Sequence, residues 1–474
     1  MILLEFVLLF LSIFIFSTSI AGFGSLLSAK IKSNFFLDIF LGFIVISIII
    51  TTYHFFFKIE TYTKFLVLLV GLLIFFIKKN ILDLTKLIKK KNFFYFVIIG
   101  FLIPMFISQK YHEDFGYYHL PYALAFLEEK IIFGFANIDK AFVYNSIWLN
   151  LYPLFFFDNN YVYLTLPSFL LFLSFIIFSI KKIIKKTYIG ISDYYLIVVL
   201  FYFLLKFTRI SEFGVDFPSS VFSILGILYF IKFYETNKDI ERKSCLYLNF
   251  AFSFFSILIK LSATPIIILP IYLYFTNFKK FNIYIFNTQF LIIYFLALVF
   301  FIQQFIYSGC IFFPTNLTCF NLSWFNPEYL NLSKELELIN KSYSSAKDVY
   351  SPEEYLNNFT WFMFWLKRNF LEIFEHFATI ILPSFIFFAY LKKRSQTVII
   401  FKKEIFIFFF CLIYLLFWLN FSPVFRFAIP VFITLIFFIF YRFYTKKKIS
   451  NKILVIFISL FILFNFSKNI VRIN

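Results

Sequence analysis

The chain has 474 residues, 62% of them hydrophobic and only 15% charged, with a mean hydropathy of +0.87. That balance excludes a soluble core of this length. Apolar runs of about 17 to 25 residues recur from end to end and point to an all-α polytopic membrane protein, not a β-barrel. The formal charge of +19 excludes less than its size implies. The lysines sit in short clusters between apolar spans, as in cytoplasmic loops, and do not form the basic face of a nucleic-acid binder, so no nucleic-acid partner is expected.

In chain order, the apolar stretches lie at roughly 2–22, 35–57, 63–77, 93–108, 161–180, 194–208, 217–234, 245–259, 264–276, 283–306, 371–391, 404–420, 424–441 and 451–467, which predicts between 12 and 14 spans. The first lacks a basic leader and a small-residue cleavage site, so it reads as a retained span. The sequence divides into N-terminal spans (1–108), a first wet loop (109–160), central spans (161–306), a second wet loop (307–370) and C-terminal spans (371–474). Placing the Lys-rich segment 78–91 in the cytoplasm and alternating from there assigns 28 of the 44 Lys and Arg residues to the short inner loops. It places 111–150, 209–218, 260–265, 307–370 and 420–426 together on the outer face.

The first wet loop concentrates the unusual residues. His112, Glu113, Asp114, His119, Glu128, Glu129, Asn137 and Asn145 fall within 111–150, in a chain with four histidines in all. Carboxylates at the mouth of a span are costly near lipid unless solvated or paired. Glu113 and Asp114 by themselves read as an interfacial pair that ends a helix. Their setting adds a second reading. A helix over 114–129 places Asp114, Tyr118 and Tyr122 on one face at i, i+4 and i+8, and Pro121 fits its first turn. A carboxylate on such a surface is suited to taking a proton from an attacking hydroxyl, and a nearby His to orienting it. An Asp/Glu/His set also fits a divalent cation, so a cation cofactor stays open and no metal ligands are assigned.

A second charged group follows at Arg209, Glu212 and Asp216, beside Lys206. It reads as a polar hairpin, or as a rim with Arg209 available to an anionic headgroup. Lys260, Arg368 and Arg426 are lone cations at span ends. One snorkelling cation needs no function, but several against the inward trend are what a lipid-linked phosphate requires. In the second wet loop Cys310 and Cys319 stand nine residues apart, close enough to close a small disulfide loop in an oxidising compartment. Five N-x-S/T sequons there are expected by chance in an Asn- and Ser-rich segment. No Cys pair has zinc spacing and no Gly-rich phosphate loop is present.

The segment EDFGYYHLPYALAFLEEKIIFGFANIDKAFVYNSIWLNLYP resembles the first large outer loop of bacterial membrane proteins with the GT-C glycosyltransferase fold. The residues that carry the likeness are Asp114, Tyr118-His119-Leu120, Gly134-Phe135-Ala136-Asn137 and Asn145-Ser146-Ile147-Trp148. Weaker likenesses are Asp216-Phe217-Pro218-Ser219, Lys260-Leu261-Ser262, Tyr307-Ser308-Gly309 with Phe313-Pro314, and Pro423-Val424-Phe425-Arg426-Phe427, over about residues 95–440. The loop here follows the fourth predicted span, where many GT-C enzymes have it after the first, and the long C-terminal outer domain of some of them has no counterpart in this sequence.

The resemblance implies a GT-C-like bundle in the bacterial inner membrane that moves a sugar from a polyprenyl-phosphate donor to a glycan or glycolipid acceptor at the outer face. It implies Asp114, with Glu113 beside it, as general base or metal ligand. Tyr118, His119, Asn137, Asn145, Arg209, Asp216, Lys260, Arg368 and Arg426 are the candidate substrate-binding residues. Two alternatives stand beside it. A flippase for lipid-linked oligosaccharide normally carries charges and Gly/Pro breaks at mid-depth, whereas here the ionisable residues sit mainly at span ends. An outer-face glycan polymerase or ligase would rely on the second loop and Arg368 more than on Asp114.

Overall fold

The computed structural model describes residues 2–29, 31, 33–78, 93–108, 110–111, 114–157, 160–184, 190–281, 286–357, 359–392, 403–441 and 451–473. Among them there are helices and turns but no strand, and a single isolated bridge pairs Cys310 with Cys319. The long helices are α1 (Ile2–Leu27), α2 (Phe35–His54), α3 (Thr61–Lys78), α4 (Phe93–Ile107), α5 (Leu120–Glu128), α6 (Leu166–Ile184), α7 (Ile191–Lys206), α8 (Asp216–Glu235), α9 (Asp239–Ile259), α10 (Ile268–Thr276), α11 (Thr288–Ser308), α12 (Tyr329–Asn340), α13 (Trp361–Lys392), α14 (Glu404–Phe421), α15 (Ile429–Phe440) and α16 (Asn451–Ile473). The protein is an all-α polytopic membrane protein.

Each of the fourteen predicted stretches coincides with a helix, but they are not equally suited to crossing a bilayer. Among the described residues nine helices are long and apolar enough to do so, and three apolar helices are shorter. The other two predicted stretches fall on α7 and α9. α7 has only 16 residues, and α9 opens on Asp239, Glu241, Arg242 and Lys243, one helical turn that extends it beyond its apolar part. Helix α13 starts at Trp361, ten residues before the apolar stretch expected from 371, because the aromatic close of the second wet loop is itself helical.

Helices α2, α6 and α8 form the interior, while α3, α13, α14 and α16 form a rim. The rim displays large apolar side chains outward, among them Leu73, Ile77, Leu371, Phe409 and Leu460. That surface is stable against hydrocarbon and costly in water. The entry into α2 follows from one side chain: Asn34 Oδ1 accepts the N–H of Phe36 and of Leu37, each at 3.1 Å. Close approach of α1, α2 and α3 relies on small residues, since lipid tails supply no hydrophobic force between helices. A Cβ at Gly22 would lie 1.9 Å from the Gly71 carbonyl oxygen, and one at Gly42 would lie 1.9 Å from that of Ile20.

The first wet loop is bound into the bundle by a dry polar network. Tyr122 Oη donates to Asn145 Oδ1 and to Asn150 Oδ1, both at 2.8 Å. Asn150 Nδ2 donates to Thr51 Oγ1 of α2 at 2.8 Å and to Gln303 Oε1 of α11 at 2.9 Å, and Asn145 Nδ2 reaches the same Gln303 oxygen at 3.0 Å. Gln303 Nε2 donates to Tyr307 Oη at 3.1 Å. Every donor placed here would otherwise be stranded in a low-dielectric interior, so the network specifies one seating of the loop. The chain after Asn145 is then carried towards α9, where Ser146 Oγ donates to Ile259 O at 2.7 Å and Ile147 N to Leu258 O at 3.1 Å.

The Asn150→Ala chain leaves Thr51 and Gln303 each short of a partner. The expected cost is about 1–3 kcal/mol, read as a lower thermal unfolding midpoint in detergent. Asn160→Ala, which removes an exposed helix cap, is the comparison. An Asn150→Ala midpoint equal to that of the wild type would show that the network does not hold the loop.

Candidate functional site

The 114–122 segment is helical but not uniformly so. Residues Phe115–His119 form one π-helical turn, in which the Leu120 N–H donates to the Phe115 carbonyl five residues back, and α5 follows with Pro121 in its first turn. The inserted residue turns the later side chains away from the face predicted for an unbroken helix. Tyr122 is consequently not a companion of Asp114 and Tyr118; it points into the dry network with Asn145 and Asn150. Tyr118 instead lies within electrostatic reach of Asp114, Asp216 and Arg426. Burial first, then Asp114 and Asp216, hold its phenol well above the ordinary tyrosine value, with Arg426 opposing.

Three distant segments supply the charges beside it. Asp216 is the first residue of α8, where the positive end of the helix dipole favours a carboxylate. Its Oδ1 receives Lys260 Nζ, and its Oδ2 lies 2.6 Å from Arg426 Nε. Lys260 is the extended residue that ends α9, and its ammonium sits 3.4 Å from the centre of the Phe427 ring. Asp216 is 8% exposed, Lys260 22% and Arg426 27%, so the group is mostly dry but open on one side. Burial lowers the Lys260 pKa against the opposing pull of Asp216, and Asp114 acts on the same ammonium. Removing one member of a buried pair costs about 3–5 kcal/mol; here partial exposure reduces that figure.

The Arg426 segment is pinned by two indoles. Trp365 Nε1 donates to Pro423 O at 2.6 Å and Trp418 Nε1 to Val424 O at 2.7 Å. Phe425 stacks flat on Phe432, with ring centres 4.6 Å apart. His119 is buried against Gly214, which has φ +46°. A Cβ at Gly214 would fall 2.7 Å from His119 Cε1, so this glycine is required both for its backbone and for the imidazole above it.

Of the residues singled out in the sequence, Asp114, Tyr118, His119, Asp216, Lys260 and Arg426 therefore come together. His112 and Glu113 lie outside the described residues. Asn145 belongs to the dry network. Asn137 joins the two wet loops: its Nδ2 donates to Trp324 O at 2.9 Å and its Oδ1 accepts Tyr329 Oη. Arg368 is exposed on α13 and bonds Ser344 Oγ at 3.1 Å. Arg209 stands 3.9 Å from Glu212 in a separate group. Cys310 and Cys319 form a disulfide, while Cys245 and Cys411 are free and buried. Among the described residues no group of three or more His, Cys, Asp or Glu side chains is placed to hold a metal ion.

Residues 1–433 match the family described as "Domain of unknown function (DUF8201)". The chain belongs to this family. No curated protein and no solved structure matches it.

The structure adds Gln303 and Tyr152 to the residues the sequence points to. Gln303 carries a visible signal, a Gln-Gln pair inside the apolar run FFIQQFIYSG. Tyr152, also within electrostatic reach of Tyr118, carries none.

Gly214→Ala combines a positive-φ backbone outside the left-handed helical region, worth roughly 1–3 kcal/mol, with a clash against His119. The unfolding midpoint is expected to fall, and His119→Ala in the same chain to restore part of the loss. Strictly additive effects of the two substitutions would mean that they do not touch.

Proposed function

We propose that this protein is a membrane-embedded glycosyltransferase of GT-C type that moves a sugar from a polyprenyl-phosphate-linked donor to a glycan or glycolipid acceptor. The observation that carries the reading is the convergence of Asp114, Tyr118 and His119 with the Asp216–Lys260–Arg426 triad. A carboxylate beside two cations at the loop end of an apolar bundle matches what transfer from a lipid phosphate needs. One group must receive a proton, and another must hold the departing phosphate near the membrane boundary.

In this reading the acceptor oxygen attacks the anomeric carbon of the donor sugar. The bond from that carbon to the phosphate oxygen breaks, and the polyprenyl phosphate leaves with the electron pair. The acceptor proton passes to Asp114. Lys260 and Arg426 meet the negative charge on the leaving phosphate, and Asp216 keeps both oriented. Tyr118, held as a neutral phenol, donates hydrogen bonds without competing for the proton. His119, seated on Gly214, lines the acceptor side.

The site lies on the outer face in this account. The Cys310–Cys319 disulfide supports that placement, since such bonds persist in oxidising compartments, as does the concentration of Lys and Arg in the short loops expected on the other side. Arg368 is exposed and engaged with Ser344, and gives no support to a polymerase centred on the second loop.

Asp114→Asn preserves shape and removes the base. Purified Asp114→Asn protein is expected to keep the wild-type unfolding midpoint and to lose transfer of label from a panel of polyprenyl-phosphate sugars into membrane glycolipid by about a hundredfold or more. Transfer at the wild-type rate would sink the assignment of Asp114. Lipid scrambling by the wild type in liposomes, with no transfer at all, would move the protein to the flippase class.

A further inference from the structure

A second charged group, separate from the triad, gathers where α4, α7 and α16 end. Lys110 follows α4, Lys206 closes α7, Arg209 lies in the connection to α8, and Lys468 and Arg472 occupy the last turns of α16. Arg472 lies within electrostatic reach of Arg209 and Glu212, and Lys468 within reach of Arg472, Lys206, Arg209 and Glu375. The ion pairs formed are few: Lys110 with Glu212 at 3.3 Å, Arg209 with the same Glu212 at 3.9 Å, and Lys206 with Glu375 at 2.9 Å. Neighbouring Glu372 turns to His376 instead. Five cations thus share two carboxylates, and among the described residues Lys468 and Arg472 have no ion-pair partner.

Part of this charge has a local explanation. Cations near a helix C-terminus are favoured by its dipole, and Arg472 holds the chain just past α7: its Nη1 donates to Thr208 O at 3.2 Å, Thr208 Oγ1 at 3.1 Å and Asn469 Oδ1 at 3.1 Å. Asn465 Nδ2 covers Leu204 O in the last turn of α7 at 3.1 Å. That role uses one guanidinium nitrogen. It does not explain why Lys206, Arg209 and Arg472 all lie within electrostatic reach of Lys468, where like charges repel. Such crowding becomes favourable when an anion with several oxygens lies among them. The setting specifies its source. Just before Lys468, α16 turns Leu460, Leu463 and Phe464 outward on the rim of the bundle, so the cations stand at the end of a lipid-facing helix, at headgroup level.

We propose that Lys206, Arg209, Lys468 and Arg472 form a binding site for the phosphate of an anionic membrane lipid, at the α7–α16 edge and distinct from the Asp216 triad. The bound phosphate offsets the surplus positive charge and seals α16 against the end of α7. The proposal does not depend on the transferase reading.

The test is native mass spectrometry of the full chain released from detergent after exchange into phosphatidylglycerol or phosphatidylethanolamine. The wild type is expected to retain the anionic lipid in preference. Each Lys or Arg at an anionic lipid surface contributes about fivefold in affinity, so Arg209→Gln with Lys468→Gln should lower retention by about thirtyfold. Lys468→Gln alone, at an exposed position without an ion pair, should lose about fivefold with no change in unfolding midpoint measured without lipid. Lys140→Gln, an exposed cation paired with Glu335 away from both clusters, should retain the lipid as the wild type does. Equal retention of both lipids, undiminished retention by the double variant, or an equal loss in Lys140→Gln would each overturn the site. Equal stabilisation of the chain by inorganic phosphate alone would overturn the assignment to a lipid.

Discussion

Asp216 is the residue on which the loop end of this protein depends. Its carboxylate is nearly dry and is shared by a lysine 44 positions later and by Arg426 near the end of the bundle. In a medium of low polarity none of these charges is stable alone, so α8, the end of α9 and the segment before α15 must meet at one point. The rest of that end is arranged to make the meeting possible. Two indoles hold the Arg426 segment by its carbonyls, Gly214 admits the imidazole of His119, and the dry network around Gln303 fixes the loop that carries Asp114 and Tyr118.

The architecture separates the two demands on the first wet loop. Its C-terminal part, from Asn145 to Tyr152, is buried and hydrogen-bonded to α2, α9 and α11. Its N-terminal part passes through a π-helical turn that leaves Tyr118 within electrostatic reach of Asp114 and of Asp216 and Arg426 in the ion triad. The second wet loop covers the first: Asn137 Nδ2 donates to Trp324 O at 2.9 Å and Lys140 meets Glu335 at 2.5 Å. A rigid seat with a polar rim is the arrangement that positions reacting groups without leaving the backbone to move.

Much of this was legible in the sequence for physical reasons. Apolar runs of membrane length have few alternatives to helix, so the spans were readable, though α13 began earlier and α9 carried an extra charged turn. Asp216, Lys260 and Arg426 were readable as candidates because charges at span ends are expensive and must find partners. Their mutual pairing was not, since three positions far apart in sequence meet only through packing. The π-helical turn had no signature either: EDFGYYHLP fits an ordinary helix, and one added residue redirected Tyr122 from Asp114 to Asn145 and Asn150. Asn137 stands out through the Gly-Phe-Ala-Asn likeness and Arg368 as a lone cation at a span end, features that Asn and Arg also show in purely structural roles; the structure gives them loop-joining and surface roles.

The central claim is that a lipid-linked phosphosugar is held between Asp114 and the Lys260–Arg426 pair. The most direct measurement is photocrosslinking of a polyprenyl-phosphate sugar analogue, with a photoreactive group on the sugar, to the full chain in lipid, followed by peptide mapping. Adducts are expected on the 114–122 and 422–428 segments, and unlabelled polyprenyl phosphate should displace them. Adducts confined to the second wet loop, or spread along the lipid-facing rim without competition, would contradict the central claim.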